Sequence, residues 1–189
     1  MADADWNACL AFVLAAEGGY VDDPMDPGGA TNLGITLDVL RQWRHGPVTR
    51  DDVRTLGRDE AGAIYRTSYW NASRCPDLPA GVDLMVFDAS VNTGNGRSAR
   101  FLQTALGVTV DGSIGPLTLA AAGAKPTAGI IDDLARLRLA FYQGLATYDR
   151  FGVGWTTRVA QAQAHALRMA GVGRQGADTA VPRSPALSA

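Results

Sequence analysis

Trp6, Leu10 and Val13 recur at helical spacing between Asp3 and Gly18, and the next position on that stripe is Glu17. Gly18-Gly19 closes the helix, because glycine readily takes the left-handed conformation that helix ends need. From Tyr20 to Thr36 the pattern collapses. Two prolines, three aspartates and a run of glycines exclude a helix there and predict a loop with a short β-hairpin. Helical spacing returns at Leu37, Leu40 and Trp43, with Thr36 or Asp38 as the cap, and stops at His45-Gly46-Pro47. A short helical turn covers 51–56. Then comes a helix over 58–70 with Ala61, Ile64, Tyr65 and Tyr69 on its inner side, broken by Cys75-Pro76.

The stretch 81–93 differs from the rest. Val82, Met85, Val86 and Ala89 keep the helical period while Phe87 and Val91 make the segment apolar nearly all round, which predicts a central buried helix. A helix over 97–106 leads into a turn or tiny strand at Gly107–Gly112, and Pro116 opens a further helix at its first turn. Ile130, Leu134, Leu137, Phe141, Leu145 and Tyr148 form the best amphipathic stripe, and a final helix runs over about 155–170. Residues 172–189 are rich in Gly, Pro, Ser and Ala with little to bury, and read as a disordered tail. The pattern therefore predicts one all-α domain over 1–171, a helical bundle around a central buried helix, carrying a small β-hairpin and loop region near residues 20–36.

Composition removes several chemistries. The 189 residues include only two histidines, His45 and His165, and two distant cysteines, Cys9 and Cys75, with no metal-ligand spacing between them. Zinc chemistry and a histidine-based triad are excluded, and no metal or cofactor is expected. Cys9, Trp6 and Trp43 read as core residues, Cys75 as exposed. The net charge of -2, with arginines scattered and Lys125 the one lysine, argues against nucleic acid as a partner. No apolar run is long enough for a membrane span, so stable membrane insertion is not expected. The N-terminus lacks the basic and apolar regions of a signal peptide.

Carboxylates, hydroxyls, amides and aromatics remain as the available chemistry. Glu17 continues an apolar stripe and sits in the last turn of a helix, where burial and the macrodipole both disfavour its anion. A carboxyl kept partly protonated at neutral pH can donate a proton, and a second carboxylate across a cleft would complete the two-acid arrangement of glycoside hydrolysis. Asp22, Asp23 and Asp26 are the candidates for that second group. The alternative is that Glu17 is merely a solvated residue at a helix end.

The segment Glu17-Gly-Gly-Tyr-Val-Asp-Asp-Pro-Met-Asp-Pro-Gly-Gly-Ala-Thr-Asn-Leu-Gly-Ile-Thr36 resembles the signature of glycoside hydrolase family 108, the peptidoglycan muramidases of phage endolysins and related bacterial loci. The resemblance continues through Tyr69-Trp70, through Asp83-Leu-Met-Val-Phe-Asp-Ala-Ser-Val-Asn-Thr-Gly94 and through Leu102-Gln103. Val110-Asp-Gly-Ser-Ile-Gly-Pro-Leu-Thr118 resembles the peptidoglycan-binding segment joined to that catalytic region, and the likeness ends near Gly154-Trp155. It implies an α+β lysozyme-like fold with the catalytic motif within 1–95 and the peptidoglycan-binding segment within 96–171.

The resemblance also implies roles. Glu17 matches the catalytic glutamate and would be the general acid, protonating the oxygen of the β-1,4 bond between N-acetylmuramic acid and N-acetylglucosamine. Asp26 and Thr31 would orient the water, giving inversion. Asp26 stands at the separation from Glu17 seen in the Glu, Asp, Thr triad of phage-type lysozymes, whereas Thr31 is one residue closer to the aspartate than that pattern has it. Asn32 therefore competes with Thr31. For substrate binding, Tyr20, Tyr69 and Trp70 offer faces that could stack on sugar rings, against core packing as the alternative. The amide of Asn92 could hold an N-acetyl group or tie down backbone.

The expected protein is thus a monomeric endolysin-type lysozyme whose partner is the glycan of bacterial peptidoglycan. It is made in the cytoplasm without a signal peptide and acts on the wall in the periplasm after release or export. A lytic transglycosylase, or a non-catalytic wall-binding or virion structural module, are the rival readings.

Overall fold

The computed structural model describes residues 2–22 and 29–171. Asp23, Asp26 and the tail over 172–189 lie outside them. Helices α1 (Ala2–Ala16), α2 (Leu37–Arg44), α3 (Arg50–Arg54), α4 (Arg58–Tyr65), α5 (Val82–Thr93), α6 (Asn95–Leu106), α7 (Pro116–Ala124), α8 (Thr127–Gln143) and α9 (Tyr148–Met169) make up most of the described chain. Strands β1 (Thr31–Asn32) and β2 (Ile35–Thr36) pair antiparallel between α1 and α2. The chain is mostly helical with one small hairpin, as its pattern predicts. No helix among the described residues is long and apolar enough to cross a membrane.

α5 is the axis of the fold. Every residue from Val82 to Ser90 is buried, and Leu84, Met85, Val86 and Phe87 are fully so. Burying each of those large side chains contributes about 1.5–3 kcal/mol, which explains how a helix with no polar face holds its place. α1 packs on one side of α5, α6 follows it closely, and α8 and α9 cover the rest while packing against each other. One continuous core runs from Trp6 on α1 to Ala166 on α9.

The helix starts rest on local signals, two of which, Thr36 and Pro116, act as read. Thr36 caps α2 by accepting from the Val39 amide at 3.3 Å, and Thr49 and Asp52 form a reciprocal capping box on α3. Pro116 opens α7.

Other expectations are corrected. α9 begins at Tyr148, some seven residues before the sequence placed it, because the tyrosine ring packs over Gly152 and lets a glycine-containing segment stay helical. α8 ends at Gln143, so Leu145 lies in the link between the two helices and Tyr148 opens α9. The buried face of α8 is Ile130, Ile131, Leu134, Ala135, Arg138 and Tyr142, rotated from the expected stripe. Of the two readings for residues 107–112, the turn is the one observed, without strand pairing. Cys75 is buried at 1% exposure, not exposed.

Candidate active site

Glu17 comes directly after α1, its amide still bonded to the Val13 carbonyl at 3.1 Å, so the helix fixes where its side chain leaves the backbone. The chain then doubles back. Val21 and Thr31 exchange two backbone hydrogen bonds of 2.8 Å, and the β1–β2 hairpin turns through Leu33 and Gly34. Both turn residues have positive φ, 50° and 74°, the geometry of the tight turn whose twist matches a hairpin. A leucine in that region is costly, and the Tyr65 hydroxyl stabilises the turn by donating to the Leu33 carbonyl at 2.9 Å.

Gly34 is needed for a second reason. A Cβ there would collide with the Tyr65 hydroxyl and stand 2.8 Å from Glu17 Oε2. The hairpin thus lies close enough to the carboxyl group that a side chain at this position would not fit. Glu17, Gly18, Gly19, Val21, Gly29, Thr31 and Gly34 line a cleft of about 270 Å³ whose walls are largely glycine backbone. Such walls leave room for a bulky polar ligand to approach the carboxyl group.

Glu17 and Thr31 are therefore brought together, as expected from the sequence. Asn32 is not part of the cleft. Its side chain is buried and its amide nitrogen donates to the carbonyls of Val53 and Arg54 at 3.0 and 3.1 Å, tying the hairpin to α3. Tyr69 lies at the edge of this region, half-buried, its ring 5.7 Å from that of Tyr65. Burial, then the negative charge of Glu17, push both phenols above their ordinary range. Tyr20 is exposed and its hydroxyl donates to Asp22 at 3.2 Å.

One substrate-binding expectation does not fit, and for another the backbone contact weighed beside it is the one observed. Trp70 is 1% exposed, with its ring centroid 5.4 Å from both Trp6 and Phe87, so it is a core residue that no sugar can reach. The cause is the π-helical segment Arg66–Asn71 after α4, whose wider turn changes which residues face inward. Asn92 is exposed on α5 and its amide donates to the Asp88 carbonyl at 2.8 Å, one turn back on its own helix.

The chain of charges behind Glu17 is absent from the sequence reading. Arg158 on α9 places Nη1 3.0 Å from Glu17 Oε1, and its Nε and Nη2 each lie 2.9 Å from Oδ1 of Asp88 on α5. The other Asp88 oxygen is 2.8 Å from Nη1 of Arg138 on α8, and Arg138 Nη2 donates to the Tyr142 hydroxyl at 3.4 Å. Asp88 and Arg138 are fully buried, while Arg158 and Glu17 retain 16% and 20% side-chain exposure. Burial works against the Arg158 cation, but the charges of Asp88 and Glu17 outweigh it and raise its pKa above the ordinary arginine range. Glu17 thus has the Arg158 cation on one side and the Gly34 hairpin with the Tyr65 hydroxyl on the other. Half of the chain could have been anticipated: a charged residue in an otherwise apolar helix needs a buried partner, and Asp88 is such a residue.

Comparison with known proteins finds two family models along the chain. The family model described as Glycosyl hydrolase 108 matches residues 10–94, and the model described as Predicted Peptidoglycan domain matches residues 97–160. Twelve solved chains resemble this one. The structure of SagA from Brucella abortus is 42% identical in sequence with a TM-score of 0.81, covering 89% of this chain and 97% of its own. No curated protein matches the chain.

Proposed function

Because the chain belongs to the glycosyl hydrolase 108 family, and is thus a glycosidase of peptidoglycan, we propose that it is an N-acetylmuramidase with Glu17 as general acid. The observation that carries this reading is one carboxyl group, at the end of α1, exposed to a glycine-walled cleft that it shares with Thr31. Glu17 gives its proton to the bridging oxygen of the β-1,4 bond as the bond from that oxygen to C1 of N-acetylmuramic acid breaks. A water then adds its hydroxyl to C1 and loses a proton. Thr31, on the wall of the cleft, is proposed to orient that water, and Asp26 is the carboxylate proposed to take the proton. Tyr69 and Tyr20 are proposed sugar contacts at the edge. The protein acts as a monomer on the periplasmic wall, after release from the cytoplasm or export.

Mass spectrometry of fragments released from purified sacculi tests the reaction. Hydrolysis gives reducing ends that retain one water. Fragments lighter by one water would instead mark a transglycosylase, and binding without release would mark a wall-binding module. Glu17→Gln keeps the shape and removes the transferable proton, and should lower the rate by about 10²- to 10⁴-fold. A variant that still releases fragments at the native rate would remove Glu17 from its role.

A further inference from the structure

We infer that Arg158 is a positioning residue for Glu17, holding Oε1 so that the transferable proton resides on Oε2, the oxygen beside Gly34 and the cleft. The inference rests on the reading of Glu17 as the acid, and goes beyond it by assigning the proton to one oxygen and the alignment to a residue of the other matched region.

A guanidinium has five donors and no acceptor, so the oxygen it contacts must accept. Arg158 Nη1 is 3.0 Å from Oε1, and the proton of the acid form therefore belongs on Oε2. Oε2 points to the hairpin, 2.8 Å from where a Cβ on Gly34 would stand, and Gly34 lines the cleft. Arg158 is itself held on its opposite edge, where two of its nitrogens meet Asp88 Oδ1, and Asp88 is anchored in turn by the buried Arg138. A rigid chain of this kind leaves the carboxyl group little freedom to rotate.

The same chain also tempers the charge. Arg158 is shared between two carboxylates, since its other edge faces Asp88. Asp88 lies between the two guanidiniums, so its carboxylate offsets part of their charge. The other titratable groups facing Glu17 among the described residues are Tyr65 from α4 and Tyr69 from the π-helical segment.

The test uses the full chain with Arg158→Met, Arg158→Lys, Asp88→Asn and Glu17→Gln, assayed on soluble glycan strands over a range of pH. Thermal unfolding of each variant is recorded alongside. Arg158→Met should lower kcat about 10- to 100-fold with KM changed by less than about threefold, since misalignment by an ångström costs that much and binding is untouched. The alkaline limb of kcat/KM, set by the acid, should move up when the cation is removed. Asp88→Asn should move it down, because the whole guanidinium charge then falls on Glu17. Arg158→Lys keeps the charge but cannot fork between two carboxylates, and should fall between Arg158→Met and the native protein. If Arg158→Met does not fold, the Arg158→Lys and Asp88→Asn profiles decide. Limbs that stay in place while Glu17→Gln is inactive would overturn the inference and leave Glu17 as the acid. An active Glu17→Gln variant would overturn the underlying reading instead.

Discussion

Asp83 is a second buried carboxylate on α5, and it differs from Asp88 in having no cation against it among the described residues. It is 2% exposed, and its Oδ1 accepts from the Gly81 and Leu84 amides at 2.7 Å each. Burial pushes its pKa up to about 6, more than those two hydrogen bonds pull it down. The folded protein therefore retains this proton at a pH where the unfolded chain has released it. Stability from this group is complete below about pH 4, falls as pH rises to about 6, and is then constant, a loss of about 3 kcal/mol for a shift of roughly two units. Asp83→Asn keeps the acceptor and removes the ionisation. Its stability relative to the native protein should improve by up to about 3 kcal/mol between pH 4 and pH 7, as measured by urea unfolding at the two values. An unchanging difference would mean that Asp83 ionises normally in the fold. At this scale the sequence was half legible. Glu17 stood out because a charge on an apolar stripe, followed by Gly-Gly, is visible locally. Arg158 did not, because it meets Glu17 across 141 positions of sequence and no periodicity encodes that meeting.

Among the elements, the junction of α5 with α9 is the most constrained. Gly81 starts α5 with φ 89°, and a Cβ there would run into the backbone carbonyl of Ala166 on α9 and sit 3.1 Å from Ile131 Cδ1 on α8. A backbone oxygen inside a helix cannot swing aside as a side chain can. Gly81→Ala combines the cost of a left-handed alanine with overpacking, for a loss of about 2–4 kcal/mol. Calorimetry should show Tm lowered by roughly 5–15 °C, and a native Tm would mean that the two helices can separate there. Helix positions were largely readable, because caps and apolar periods are local: Thr36, Pro116 and the apolar run of α5 all acted as expected. Errors arose where tertiary packing overrode propensity. Gly152 and Gly154 obscured the first turns of α9, where Tyr148 covers one of them. The π-helical turn at Arg66–Asn71 shifted Trp70 into the core, and nothing in an α-helical period announces that extra residue per turn.

For the whole molecule, the two regions matched by separate family models share one core. α5 belongs to the first and is covered by α8 and α9, most of which belong to the second. Unfolding should accordingly be a single transition. A variant retaining only Trp70 and another retaining only Trp155 should give the same denaturation midpoint by fluorescence, and both should coincide with the loss of helical circular dichroism. Two separated midpoints would show that the regions fold independently. The alternating charges that cross this boundary have a consequence for inheritance. A cutting unit joined to an anchoring unit invites the idea of interchangeable parts. Here the second region carries Arg158, which touches the carboxyl group of the first, so the boundary near residue 95 is not a seam at which parts can be exchanged. Any recombination across it that separated Glu17 from Arg158 would leave a first half without that ion pair, and the two regions are therefore expected to travel as one heritable unit.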